Sequence, residues 1–362
     1  MTTSIGPLHP RFADVRRIAV VRGGGLGDLV FALPALRALR TAYPDAEMVL
    51  LGTPAHDTLL AGRPGPVDRV VPLPVARGVF EPGTPQDDAA LERFFDRMAA
   101  ERFDLAVQAH GGGRWSNPFT RRLGARHTIG TRTPDAEPLE RWLPYRYHQH
   151  EALRWLEVAG LGGATGDIRA RIAVTGHDLA AAGEALAGLP RPIATLHPGA
   201  TDPRRRWPAA RFAEVAGKLA ACGAGVAVVG TPDEADVVAR VANGHPGVRP
   251  LVGVLGLAGL VGVLAASAVV VANDSGPRHL AEAVGTSTVS VFWCGNMINA
   301  GPFGRTDHRV QVGWTVRCPA CGADLTTRAG CGHDDSWVAD VPARDVTAET
   351  LDLLARADPP QP

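Results

Sequence analysis

The chain has 362 residues, and at roughly 150 residues per domain this length predicts two domains. Hydrophobic residues make up 45% of the sequence and charged residues 20%, which excludes disordered, collagen-like and coiled-coil classes for the whole chain. The 37 basic residues balance the 37 acidic ones, so no nucleic-acid partner is expected. Lys218 is the one lysine, and any anion site must therefore use arginine, histidine or backbone amides.

Short apolar runs alternate with longer amphipathic stretches in the first half of the chain, which is the pattern of parallel strands joined by helices. The predicted elements are strands at 17–21, 47–51, 69–73 and 105–108, and helices at 28–42 and 91–102. Residues 111–147 are rich in Gly, Pro, Arg and Trp, and we expect them to form a loop that carries binding residues.

The pattern restarts after a Gly-Leu-Pro-Arg-Pro linker at 188–192. The predicted strands are 193–196, 226–229, 268–272 and 288–292, and the predicted helices are 208–222, 234–243, 257–266, 277–284 and 347–357. The uncharged run 251–272 is long enough to span a bilayer, but its glycines favour a division into a helix and a buried strand. The predicted domains are 1–188 and 189–340, followed by a helix and tail at 341–362, for which packing on the first domain is left open.

A glycine-rich turn, Arg22-Gly-Gly-Gly-Leu-Gly-Asp28, follows the first predicted strand and precedes a helix. Glycines such as Gly25 and Gly27 let the backbone approach a ligand, and a helix N-terminus offers unpaired amides. The alternating glycines do not match a dinucleotide fingerprint, and Gly52 rather than an acidic residue follows the second strand. Asp28 is therefore either a residue that favours the helix N-terminus or a general base facing a ligand hydroxyl.

Two further motifs stand between a predicted strand and a predicted helix. In the first, His197-Pro-Gly199 precedes Arg204-Arg-Arg-Trp-Pro208, where the three arginines predict either a diphosphate clamp or a solvated basic turn. In the second, Asn273-Asp-Ser-Gly-Pro-Arg-His-Leu280 offers amides of Ser275 and Gly276 to an anion, Asp274 to a sugar hydroxyl, and His279 to a phosphate or to packing. An ordinary turn is the alternative for this stretch.

Residues past two other strands are weaker candidates. Glu234 follows the strand 226–229 and is placed to bind a ribose or to favour a helix N-terminus. His110 and Arg114 follow the strand 105–108, where acceptor binding competes with ordinary loop packing.

These motifs together resemble glycosyltransferase family 9, whose best-known members are the ADP-heptose:lipopolysaccharide heptosyltransferases. In that family a turn ending in Gly-Asp precedes a helix with Pro-Ala-Leu, which is matched here by Gly27-Asp28 and Pro34-Ala-Leu36. A His-Pro-Gly followed by Lys-x-Trp-Pro is matched by 197–199 and 205–208, with arginine at the lysine position. The element Asn-Asp-Ser-Gly-x-x-His-Leu is matched in full by 273–280, and the resemblance covers nearly the whole chain.

The resemblance implies an α/β chain of the GT-B class, with two Rossmann-like doubly wound domains facing across a cleft. It implies inverting transfer of a sugar, heptose from an ADP-linked donor, to a glycan, lipid-linked or small-molecule hydroxyl, with lipopolysaccharide biosynthesis as the family's process. Asp28 would be the general base. The implied donor and phosphate residues are Arg205, Arg206, His197, Gly199, Asp274, Ser275, Gly276, His279 and Glu234. On the acceptor side we expect Gly25, Gly27, His110 and Arg114.

Catalysis is expected to need no cofactor, because arginines and helix N-termini can neutralise a leaving diphosphate without a metal. Two alternatives stay open: a nucleotide-sugar epimerase of the GT-B class, and an α/β protein that binds a ligand without chemistry. The N-terminus lacks a signal-peptide layout, which predicts a cytoplasmic protein. Peripheral contact with the inner face of the membrane is left open, because acceptors of this family are often lipid-linked.

Four residues near the C-terminus carry metal-ligand chemistry. Cys318, Cys321, Cys331 and His333 supply three thiols and an imidazole, a set that suits a closed structural zinc site. Free thiols or a redox-labile pair are the alternatives. Cys222 and Cys294, in contrast, are predicted to be core residues.

Overall fold

A computed structural model of the chain describes residues 4–326 and 331–356. Contacts within the backbone divide the chain into two compact units, Met1–Ala173 and Val174–Pro362. The predicted division between 188 and 189 therefore differs from the observed one. The reason is that a helix at Gly176–Leu186, preceding the predicted linker, packs on the helix Leu257–Ala265 of the second unit.

The first unit contains a six-stranded parallel sheet of the order β4-β3-β2-β5-β6-β7, with a short antiparallel pair β1-β8 beside it. Its strands are β1 Ser4–Ile5, β2 Arg17–Val21, β3 Glu47–Gly52, β4 Arg69–Pro72, β5 Leu105–Gln108, β6 His127–Arg132, β7 Arg141–Pro144 and β8 Gly166–Asp167. Its helices are α1 Leu26–Ala42, α2 Pro54–Leu60, α3 Asp88–Ala100, α4 Ser116–Arg121 and α5 Glu151–Leu161.

The second unit repeats this arrangement with the order β11-β10-β9-β12-β13-β14, all parallel. Its strands are β9 Ile193–His197, β10 Gly225–Gly230, β11 Val248–Val252, β12 Val269–Asn273, β13 Ser287–Trp293 and β14 His308–Gly313. Its helices are α6 Gly176–Leu186, α7 Ala209–Ala221, α8 Ala235–Ala242, α9 Leu257–Ala265, α10 Gly276–Ala283, α11 Cys294–Ala300 and α12 Ala343–Arg356.

Buried apolar strands and one-sided helices explain why these segments fold as they do. The central strand β12, Val-Val-Val-Ala-Asn, is buried along its whole length, as expected for a strand covered on both faces. In α1 the side chains of Leu29, Leu33, Leu36 and Leu39 recur at helical spacing, and all four are buried. Both sheets have the doubly wound order, and the α/β prediction is confirmed.

Three predictions about elements need correction. The segment 111–147 is not a continuous loop, because it contains α4, β6 and β7. The helix α1 begins at Leu26 instead of at 28, so Gly27 lies inside its first turn. Cys222 and Cys294 were predicted to be core residues. Cys222, the residue after α7, is exposed, and Cys294 is only partly buried.

The C-terminal helix α12 packs on α7 and on the second sheet through its buried residues Val346 and Leu353. It thus belongs to the second unit, and the predicted end of this helix and the tail, residues 357–362, lie outside the described residues. The uncharged run is divided as predicted, between α9 and β12. Among the described residues, no helix combines the length and apolarity needed to cross a bilayer.

Candidate active site

Each sheet has one place where ligand-binding residues are expected. In a doubly wound sheet, ligands bind beyond the carboxyl ends of the two neighbouring strands at which the winding reverses. These strands are β2 and β5 in the first unit and β9 and β12 in the second. Each of the three sequence motifs directly follows one of these strands. All three motifs therefore lie where a ligand is expected to bind.

Asp28 lies in the first turn of α1 and is held at both carboxylate oxygens. Its Oδ1 accepts a hydrogen bond from Nη2 of Arg22 at 2.9 Å, and its Oδ2 accepts from the backbone N–H of Gly25, also at 2.9 Å. The side chain nevertheless remains 49% exposed. Asp28 therefore combines the helix-terminal role with a carboxylate that solvent or a ligand can reach.

Arg22 contacts Asp28 directly, although the sequence analysis proposed no role for it. It is the residue after β2, and its side chain is 2% exposed. Its Nη1 donates to the carbonyl of Ala109 at 2.7 Å, its Nε donates to the carbonyl of Asp28 at 2.8 Å, and its guanidinium lies 5.0 Å from the ring centre of Trp155. Arg22 thus fixes the start of α1 against the end of β5. The sequence signal that could have identified Arg22 is its position directly after a predicted strand.

The other acceptor-side candidates differ in their burial and in their contacts. Gly25 precedes α1 as its N-cap and, like Gly27, belongs to the local backbone of Asp28. Burial, followed by the charge on Arg22, lowers the pKa of His110 to about 4, so this side chain is neutral at pH 7. Its Nδ1 is buried and has no hydrogen-bond partner within residues 4–326 and 331–356. Arg114, in contrast, is 66% exposed and pairs with Asp135 at 3.6 Å.

In the second unit, Asp274 is the centre of a buried polar cluster at the end of β12. Its Oδ2 accepts hydrogen bonds from Nη1 of Arg205 at 3.0 Å and from the amide of Asn296 at 2.7 Å, and its Oδ1 lies 3.1 Å from Nε2 of His279. Burial alone would raise the pKa of Asp274, but these hydrogen bonds and the charge on Arg205 lower it to about 2. Both oxygens of the ionised carboxylate are engaged by neighbouring side chains. Asp274 is therefore suited to position those side chains.

A fully buried arginine determines which ring nitrogen of His279 accepts a hydrogen bond. Nη1 of Arg278 lies 2.9 Å from Nδ1 of His279, and a guanidinium can only donate. Nδ1 therefore accepts, and Nε2 carries the proton that is donated to Asp274. Sequence reasoning missed Arg278 and Asn296, which follow the neighbouring strands β12 and β13.

The three consecutive arginines take three different roles. Arg204 forms a two-point pair with Asp202, and Arg206 donates from Nε to the carbonyl of Ala200 at 2.8 Å. Arg205 alone reaches Asp274, and its Nε is buried without a hydrogen bond in the described part of the chain. Of the predicted clamp, Arg205 is the arginine that places its charge beside the motif of α10, between Asp274 at 3.0 Å and Asp202 at 4.0 Å.

The motifs at the ends of β9 and β12 are joined by their own side chains. Asn273 accepts from the backbone N–H of Trp207 at 3.0 Å and donates to the carbonyl of Pro198 at 2.7 Å. Nδ1 of His197 lies 3.0 Å from the hydroxyl of Ser275, the residue before α10. The helix α10 begins at Gly276. Since Pro277 has no N–H, the amides of Ser275 and Gly276 are the ones that this helix start offers to an anion.

Glu234 completes this cluster from the end of β10. Its Oε2 lies 3.5 Å from Nε2 of His197 and accepts from the backbone N–H of Thr231 at 2.9 Å. The hydrogen bond with His197 lowers the pKa of Glu234 to about 2. A Cβ at Gly199 would lie 1.7 Å from Oε1 of Glu234, so a side chain at this position would have to displace the carboxylate.

The cysteine and histidine residues near the C-terminus also come together. The ligand atoms of Cys318, Cys321, Cys331 and His333 all lie within 4.8 Å of one another. Cys318 is buried, whereas Cys321 and His333 are exposed. The cluster can hold a metal ion.

A family model, glycosyltransferase family 9 (heptosyltransferase), matches residues 91–323, which is more than half of the chain. The chain belongs to glycosyltransferase family 9. The matched range contains the motifs of β9 and β12, whereas Asp28 precedes it. The family predicted from the motifs is therefore confirmed.

Similar proteins agree with this family. Lipopolysaccharide heptosyltransferase 1 of Pseudomonas aeruginosa is 28% identical over 84% of this chain and 86% of its own length. A family 9 glycosyltransferase structure from Veillonella parvula has a TM-score of 0.77 at 20% identity, covering 94% of this chain and 97% of that one. The E. coli heptosyltransferase WaaC with ADP has a TM-score of 0.66 at 21% identity, covering 93% and 99%. The fold is that of GT-B-like heptosyltransferases.

The close approach at Gly199 gives a stability prediction for this family 9 enzyme. Gly199→Ala places a methyl group on Glu234 and must displace the carboxylate from His197. We expect a loss of about 1 kcal/mol in unfolding free energy, the typical net contribution of one hydrogen bond. Thermal unfolding measures it, with Gly304→Ala in an exposed loop as the control, because a Cβ there meets nothing within 4 Å. Equal melting temperatures for Gly199→Ala and the wild type would contradict the prediction.

The depressed pKa of Glu234 predicts a pH dependence of stability. The folded-state pKa of about 2 lies below the ordinary 4.5, so the stabilisation is present above pH 4.5 and is lost as the pH falls towards 2. Glu234→Gln should lower the melting temperature at pH 6, and most of this difference should disappear by about pH 3. Asp233→Asn, at the exposed neighbouring position, is the control. A difference that is the same at both pH values would refute the assignment.

Proposed function

We propose that the chain is an inverting glycosyltransferase that moves heptose from an ADP-linked donor to the hydroxyl of a glycan, lipid-linked or small-molecule acceptor. The observation that carries this proposal is the set of donors around Asp274 in a family 9 chain. The Arg205 side chain carries a positive charge and is 26% exposed, and the helix start at Gly276 offers amides. Together they suit a diphosphate that gains negative charge as it leaves.

In this proposal the two units have different partners. The second unit binds the nucleotide sugar through Arg205, Ser275 and Gly276, with His197 orienting Ser275 and with Asp274 and His279 as positioning residues. The first unit binds the acceptor near Asp28, with the neutral His110 close to that carboxylate. Arg206 and Arg114 contribute charge at the edge of these regions. A lipid-linked acceptor would place the enzyme in the cytoplasm at the inner face of the membrane.

The reaction follows from these assignments. The acceptor oxygen attacks the anomeric carbon, the bond from that carbon to the diphosphate breaks, and ADP leaves with the bonding electrons. Asp28 takes the proton of the attacking hydroxyl, which makes the oxygen a better nucleophile. The charge of Arg205 and the dipole of α10 stabilise the leaving group, so we propose that no divalent cation takes part.

A panel of nucleotide sugars tests the donor assignment. A ligand that binds only the folded chain raises the melting temperature by mass action, and we expect ADP-heptose and ADP to do so more than UDP or GDP sugars. Incubation with ADP-heptose alone should leave the sugar unchanged, whereas an epimerase would convert it. No thermal shift with any nucleotide sugar at saturating concentration would refute the proposed function.

A further inference from the structure

The cluster of Cys318, Cys321, Cys331 and His333 is built as a metal site. Cys318 and Cys321 lie in a tight turn, in which the N–H of Gly322 donates to the carbonyl of Cys318 and the N–H of Cys318 donates to that of Ala323, both at 2.8 Å. All three sulfurs and the imidazole lie within 4.8 Å of one another. Neighbouring sulfurs in a tetrahedral zinc site are about 3.8 Å apart, so a contraction of about 1 Å completes the geometry.

The segment that carries two of these ligands is attached to the arginine loop of the candidate active site. Two residues shortly after His333 make the contacts. The N–H of Trp337 donates to the carbonyl of Arg204 at 2.7 Å, and the hydroxyl of Ser336 donates to the carbonyl of Arg206 at 2.7 Å. The two bonds flank Arg205, whose own side chain points to Asp274.

Side-chain packing strengthens this attachment. The guanidinium of Arg204 lies 4.3 Å from the ring centre of Trp337, a distance at which a cation and an aromatic ring attract each other. Trp337 in turn packs on Trp293 at 4.5 Å between ring centres, and Cys318 belongs to the same buried core. The cluster is therefore anchored in the second unit on one side and in contact with residues 204–206 on the other.

We propose that Cys318, Cys321, Cys331 and His333 bind one Zn²⁺ ion, and that this ion holds residues 331–337 in place and thereby positions Arg205. Three thiolates and one imidazole are a ligand set of structural zinc sites, and four protein ligands leave no open position for a substrate. The ion acts through the backbone of the arginine loop and does not touch the reacting atoms. Its role in positioning Arg205 rests on the proposed function, whereas metal binding does not.

Elemental analysis of the full chain, purified without added metal, tests the site. We expect about one zinc per chain in the wild type and in Cys222→Ser, whose exposed cysteine is the control, and less than about a fifth of that in Cys321→Ser. Replacement of zinc by Co²⁺ should produce the visible absorption of tetrahedral thiolate coordination. A folded wild-type chain with no stoichiometric metal, or with iron in place of zinc, would overturn the proposal.

ADP affinity, measured by calorimetry, tests the positioning role. Removal of the metal with a chelator should weaken ADP binding about tenfold, and added Zn²⁺ should restore it. This measurement uses the wild-type chain, so it stays informative if Cys321→Ser fails to fold. Unchanged affinity after complete zinc removal would refute the positioning role. A zinc-loaded chain that binds no ADP at all would refute the proposed function and leave the metal site intact.

Discussion

Asp28→Asn is expected to reduce sugar transfer by about two orders of magnitude or more, with the chain still folded. Asparagine keeps an oxygen that can accept from Arg22 or from the N–H of Gly25, so the start of α1 should survive. It cannot accept the proton of the acceptor hydroxyl. The measurement is the turnover of ADP-heptose with a purified acceptor, together with the melting temperature.

The control for this variant is Asp57→Asn, which removes an exposed carboxylate from the first turn of α2. Asp57 also places a negative charge in the first turn of a helix, so a loss of stability that came only from the helix dipole would lower the melting temperature of both variants. ADP affinity should be the same in Asp28→Asn and the wild type, because Asp28 is assigned to the acceptor. Asp28→Asn with wild-type turnover would show that Asp28 is not the base.

The fold was predictable because most of its strands are buried on both faces. Continuous apolar runs such as 269–273 identify a strand without reference to any partner. Most strands that lack such a run were missed, although the edge strand β4 was predicted. In β7 the sequence Arg-Trp-Leu-Pro is only partly buried and ends in proline, and it carries no such run. The position of α6 in the second unit depends on tertiary contacts with α9, which no local pattern reports.

The sequence was sufficient to predict the motifs of the candidate site. It was not sufficient to predict which of their side chains contact one another. The strand-to-helix positions of Asp28 and 273–280 follow from apolar periodicity and the proline rule for helix starts. That Asp274 is occupied by Arg205, His279 and Asn296 depends on side chains brought together from three sequence segments. Consecutive arginines look equivalent in a sequence, and only the turn at Pro203–Arg205 gives each its own direction.

Arg205→Ala is expected to lower the turnover number by about two to three orders of magnitude, the range found when one donor to a developing negative charge is removed. The loss should be larger in the turnover number than in the KM for the donor, because the diphosphate gains its charge as the glycosidic bond breaks. The variant also takes one hydrogen bond from the buried carboxylate of Asp274, so the melting temperature should fall. Steady-state kinetics with ADP-heptose measures the effect.

Arg205→Lys separates the charge at this position from the packing around it. Lysine keeps a positive charge within reach of Asp274 and is the residue that family 9 carries in this motif, so turnover should stay within about tenfold of the wild type. Arg211→Ala, at an exposed position in the first turn of α7, is the matched control and should change neither kinetics nor stability. If charge is what matters at the leaving diphosphate, the order of activity is arginine, then lysine, then alanine. Equal activity of the lysine and alanine variants would instead mean that Arg205 acts only by holding Asp274.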